Sequence, residues 1–258
     1  MQLRDASKEL RTHLWNAMET TVDIETVRTR VVRDAWIRVF VIPLTDHDPT
    51  RTWDGLRGAF FSCIWYSVYE LLEIALELFP ESRLRNELAR ALVRGNSGYR
   101  LLDDRFIPIT DETQNIEIER ARSAAEPLAG VRTHLDTALE RYADRKAPDY
   151  RNSIKESISA IEALVARING KNDTLGNGLK GIEQRLPVHP AMMGALSKLY
   201  GYASDADGIR HALKDGRSAG EEDARFMLVT ASAYVTYLIA KAKTAGLNLD
   251  DDASLSRG

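Results

Sequence analysis

The chain has 258 residues, of which 44% are hydrophobic and 28% charged, with a formal net charge of -3 and a single cysteine. That balance belongs to an ordinary soluble globular protein and excludes disordered and fibrous classes. The slight negative charge gives no global attraction to nucleic acid, so any RNA contact has to rest on a local basic patch. Lone Cys63 excludes an intramolecular disulfide, and the N-terminal residues lack an apolar signal region, so the expected location is the cytoplasm.

In chain order, residues 5–20 and 24–42 read as two helices, the second carrying Val27, Val31, Ala35 and Val39 on one stripe before Pro43 stops it. Residues 45–50 are a turn-rich connection in which His47, between two aspartates, reads as part of a solvated loop. Residues 53–79 hold the main apolar helix of the first half. Its Glu70, Glu73 and Glu77 recur at spacings of three and four, which marks a wet face and argues against a membrane span. Cys63, inside an aromatic-rich run, reads as a small buried hydrophobe. Residues 81–94 form another helix. Residues 99–102 and 105–109 then read as two short strands about the turn Asp103-Asp104. Thr110, followed by Asp111 and Glu112, is a helix N-cap with acids in the first turn.

Glu126-Pro127 breaks that helix, residues 130–144 form the next, and 146–149 link it to a long helix. Asp149 or Ser153 can cap the long helix, and Ser153 with Glu156 fits a capping box. Its buried stripe is Ile154, Ile158, Ile161, Val165 and Ile168, and Asn169-Gly170 ends it. Gly176, Gly178 and Gly181 match G-x-G-x-x-G, but no strand precedes them. They read as a short helix capped by Thr174 whose glycines allow close packing. Pro187 and Pro190 bracket His189, which suits a helix start. Residues 191–202 are helical. Residues 226–240 carry no charge and are apolar all round, too short and too rich in Ser, Thr and Tyr to span a membrane, so they belong in a bundle core or a subunit interface. The tail from Asp250 onward reads as disordered. The sum is an all-α protein of two helical lobes with at most one short hairpin: an N-terminal lobe over 1–110, a helical bundle over 111–245 and a flexible tail over 246–258.

Chemistry-bearing residues concentrate in 199–213, where Tyr200, Tyr202, Asp205, Asp207, Arg210 and His211 stand between a helix and the apolar segment. One reading is an ion-paired helix start, with Asp205 or Asp207 capping and Arg210 bonded to Glu156 or Glu162. The other is a functional site. Tyr200 and Tyr202 either fill core or offer faces on which bases stack. The five histidines are scattered without ligand spacing, so neither a metal nor another cofactor is expected.

The segments Tyr150-Arg-Asn-Ser-Ile-Lys-Glu156, His189-Pro-Ala and Asp207-Gly-Ile-Arg-His211, with Trp65-Tyr66, Ser97-Gly-Tyr-Arg100 and Pro108-Ile-Thr-Asp111 in the first half, resemble the AbiJ N-terminal domain family, fourth type, followed by a HEPN-like helical region. The resemblance implies an all-helical HEPN-type bundle, a homodimer, a role in bacterial abortive infection against phage, and a metal-independent endoribonuclease acting on tRNA or mRNA. The catalytic residues it implies are His211, which moves a proton, and Arg210, which stabilises charge on the phosphorane. Asp205, Asp207, Tyr200, Tyr202, Arg151, Lys155 and Glu156 take supporting or RNA-binding roles. The pattern of such enzymes, an Arg and a His on one helix with four to six residues between them, is not met: five to seven residues before His211 stand Ser204, Asp205 and Ala206. The alternative is therefore a non-catalytic HEPN-type module that dimerises and regulates or tethers a defence partner protein.

Overall fold

A computed structural model describes residues 5–42, 51–109, 111–171, 175–204 and 219–249. The turn around His47, the caps Thr110 and Thr174, the residues Asp205, Asp207, Arg210 and His211, and the tail from Asp250 lie outside the described residues. Among the described residues there are eleven helices and one two-stranded hairpin, so the protein is all-α as its sequence patterning implies. Two compact units divide at Asp111/Glu112.

The first unit begins with α1 (Lys8–Thr21), whose N-cap Ser7 accepts the Leu10 N–H at 3.2 Å. It packs chiefly on α5 (Ser82–Arg94), and the approach is close enough that a side chain at Gly95 would strike Leu10. α2 (Glu25–Arg38) packs on α4 (Trp65–Leu78). The core gathers Leu10, Leu14, Trp15 and Met18 from α1 with Leu56 and Phe60 from α3 (Trp53–Ser62) and Val68, Tyr69, Leu72 and Leu76 from α4.

The single helix expected over 53–79 is two. Cys63 and Ile64 are extended, with ψ of 164° and 149°, and separate α3 from α4. The break is held by a side chain of α1. The buried guanidinium of Arg11 donates to the carbonyls of Phe60 and Cys63 (2.8 Å), acceptors that the end of α3 leaves without an intrahelical partner, and to that of Ala6 (2.7 Å) just before α1.

The expected hairpin forms, with β1 (Arg100–Leu102) antiparallel to β2 (Arg105–Ile107) and Leu101 opposite Phe106. Both turn residues, Asp103 and Asp104, have positive φ (45° and 63°), the signature of the two-residue turn whose twist matches the strands. Arg85 binds the Asp104 carboxylate through two nitrogens and clips the turn to α5. The Glu70, Glu73 and Glu77 face is only partly wet. Glu77 is exposed and pairs with Arg38 at 2.8 Å, whereas Glu70 and Glu73 are half-buried and Glu73 accepts the Phe106 N–H at 3.0 Å. A carboxylate that looked solvated in the helix pattern thus anchors the sheet.

The second unit is built from α6 (Glu112–Ala124), α7 (Ala129–Ala143), α8 (Tyr150–Asn169), α9 (Leu175–Arg185), α10 (Pro190–Ser204) and α11 (Glu221–Thr244). α8 is the central element and touches α7, α9, α10 and α11. All five residues of its expected stripe are buried, and Gly170, at φ 68°, ends it in the left-handed conformation. α11 lays Met227, Leu228, Ala231, Val235, Leu238 and Ile239 against the bundle, while Phe226 on its other side is 58% exposed. The charge-free segment therefore buries one face in this core.

The glycine triplet packs as a helix. A β-carbon at Gly178 would lie 2.5 Å from Val165 Cγ1, and one at Gly181 2.6 Å from Asn169 Oδ1, so both glycines let α9 approach α8. Asn169 Nδ2 donates to the Gly178 carbonyl at 2.8 Å across the same contact.

Candidate functional site

The site follows from how α8 begins. Its cap is Asp149, whose carboxylate accepts the Asn152 N–H at 3.1 Å. The expected Ser153/Glu156 capping box does not form, because capping four residues earlier, at Asp149, releases both side chains. Ser153 Oγ, fully buried, donates to the Ala138 carbonyl of α7 at 2.8 Å and draws the two helices together. Glu156 turns to the same neighbour, and its Oε2 lies 2.7 Å from Nδ1 of His134.

The His134 side chain is 38% exposed and that of Glu156 26%. An ion pair this open adds little to stability, so the packing of α7 on α8 rests on buried Val131, Leu135, Ala138 and Leu139 against Ile154, Ile158 and Ile161. The pair does fix the imidazole: with Nδ1 held by a carboxylate, Nε2 is the nitrogen left to exchange a proton with another molecule.

A second carboxylate belongs to the same cluster. Glu162, two turns along α8, is half-buried, and burial pushes its carboxyl up from the ordinary glutamate range. The His134 charge and hydrogen bonds from Tyr200 and Ser159 pull it the other way. Tyr200 comes from α10, so three helices converge here. α10 is started by His189, whose Nδ1 accepts the Ala191 N–H at 3.1 Å, as the flanking prolines suggest.

Of the residues singled out in the sequence, Glu156 and Tyr200 enter this cluster. Arg151 and Lys155 are exposed on α8. Positions 151, 155, 159 and 162 are spaced four, four and three apart, so the two cations and Glu162 share a stripe of that helix. Tyr202 is 42% exposed at the end of α10. Burial first, then the charge of Asp223, raises its phenol above the ordinary value. Glu156 and Glu162, once matched with Arg210, bind His134 and Tyr200 respectively among the described residues.

Sequence reading missed His134. It stands in no motif, and its partner is 22 residues away on another helix. Its only local signal is a histidine in the helix preceding the α8 segment. Among the described residues, no group of three or more His, Cys, Asp or Glu side chains is arranged to hold a metal ion. No described helix is long and apolar enough to cross a membrane.

No curated protein and no solved structure matches the chain. A family model does, over residues 1–124, from the N-terminus through the end of α6, and its description is AbiJ N-terminal domain 4. Residues 1–124 of this chain thus match the AbiJ N-terminal domain family.

Proposed function

We propose that the protein is an RNA-targeting effector of bacterial abortive infection, with a HEPN-like second unit that cleaves RNA as a homodimer. The observation that carries the defence role is the AbiJ N-terminal domain over residues 1–124. RNA as the target is supported by the cations Arg151 and Lys155 exposed on α8 and by Tyr202, an exposed aromatic face on α10 on which a base can stack. Arg210 and His211 follow α10 in the sequence and supply a phosphate-binding cation and a proton carrier.

The test incubates the purified full chain and its His211→Ala variant with total RNA and tRNA in EDTA, with products read on a denaturing gel and the oligomeric state by light scattering. Cleavage by a wild-type dimer, lost in the variant while dimer and helicity persist, is the expected result. Equal cleavage by both would remove His211 from the site. The second reading, a non-catalytic module that tethers a partner, is favoured by the adjacent placing of Arg210 and His211 in the sequence, where the ribonuclease pattern has four to six residues between Arg and His. Absence of cleavage by a stable dimer would select it.

A further inference from the structure

We propose that His134 is a catalytic residue of this RNA cleavage, oriented by Glu156, taking the proton of a ribose 2′-hydroxyl while Arg151 and Lys155 hold the neighbouring phosphates. The inference rests on the ribonuclease reading and names a group that the Arg210–His211 segment does not contain.

Three observations converge on it. First, the His134–Glu156 contact has no structural task that its neighbours leave undone: Asp149 caps α8, Ser153 ties it to α7, and the apolar stripe buries the interface. Second, the geometry is that of an oriented base. A carboxylate 2.7 Å from Nδ1 fixes the ring, and a side chain 38% exposed can be reached by a substrate. Third, a second acid stands beside it. Glu162 is close enough to feel the His134 charge, is held by Tyr200 and Ser159, and shares its stripe of α8 with the two exposed cations. A polyanion with a 2′-hydroxyl fits cations next to a base; a simple anion would not need the base.

The bond changes and proton transfers balance. The 2′-oxygen forms a bond to phosphorus as its proton passes to His134 Nε2. The bond from phosphorus to the 5′-oxygen breaks, and that oxygen takes a proton from the Glu162 carboxyl, whose half-buried position favours carrying one. The products are a 2′,3′-cyclic phosphate and a 5′-hydroxyl, and proton exchange between His134 and Glu162 through solvent restores the starting state.

The experiment measures single-turnover cleavage of tRNA and single-stranded RNA in EDTA by the full chain, His134→Ala and Glu156→Gln. Each protein is also assayed for binding to 2′-O-methyl RNA of the same sequence, and for helicity by circular dichroism. His134→Ala is expected to lose about 100-fold or more in rate, within the range for a general base. It should keep helicity and RNA binding, and added imidazole should restore part of the rate. Glu156→Gln is expected to lower kcat with little change in KM, as befits a positioning residue. His134→Ala cleaving at the wild-type rate would overturn the proposal while leaving the ribonuclease reading intact. So would a loss of rate accompanied by lost binding and no rescue by imidazole. Failure of the wild-type protein itself to cleave would overturn that reading, and this inference with it.

Discussion

Replacing Arg11 by methionine tests whether one buried guanidinium separates α3 from α4. Methionine retains most of the aliphatic stem, so the cavity left is small and the loss is chiefly polar. The carbonyls of Ala6 and Phe60 lose their donor in a buried setting, at about 1–3 kcal/mol each for an acceptor left unsatisfied. The Cys63 carbonyl is only partly buried and can take a water instead, which adds little. The expected loss is therefore about 2–6 kcal/mol, or a fall in Tm of roughly 8–24 °C at ~4 °C per kcal/mol for a unit of this size. All four tryptophans, Trp15, Trp36, Trp53 and Trp65, lie in the first unit, so tryptophan fluorescence during urea unfolding reports on it separately from the second. Arg83→Met, an exposed position on α5, serves as control and is expected to stay within about 0.5 kcal/mol of wild type. A loss below about 1 kcal/mol in Arg11→Met would refute the assignment of the α3 terminus to that side chain.

The glycine triplet and the half-buried Glu162 give two further expectations. Gly178→Ala drives a methyl into Val165, a β-branched side chain with little rotamer freedom, and is expected to destabilise the second unit by about 1–2 kcal/mol after its gain in helix propensity; Gly176→Ala, with open space around it, should be neutral or slightly stabilising, and equal effects in circular-dichroism melts would contradict the close packing of α9 on α8. Because burial raises the Glu162 carboxyl, the folded state binds its proton more tightly than the unfolded chain does. The stability it adds is complete below the ordinary glutamate value near about 4.3 and is lost as pH rises through the raised folded value. Glu162→Gln should flatten that part of the stability–pH curve, and an unchanged slope in the variant would refute the assignment.

The sequence alone determined whatever depends on periodicity and local backbone chemistry. The stripe from Ile154 to Ile168, the left-handed stop at Gly170, the proline-flanked start at His189 and the hairpin about Asp103-Asp104 follow from patterns a few residues long. The AbiJ N-terminal domain, too, was legible in short runs such as Ser97-Gly-Tyr-Arg100 and Pro108-Ile-Thr-Asp111, and the match over 1–124 agrees for that part of the chain. Only tertiary structure could decide three other matters. Residues 53–79 break into two helices because Arg11, far upstream, binds the Phe60 and Cys63 carbonyls at the break. Glu73 leaves its wet face because a strand N–H lies within reach. Glu156 abandons a capping box for His134 because Asp149 caps first and α7 lies alongside. In each case a polar group has a local partner available in the chain and a better one across the fold. Local spacing reveals the first, but only the packing of helices distant in sequence brings the second within hydrogen-bonding distance.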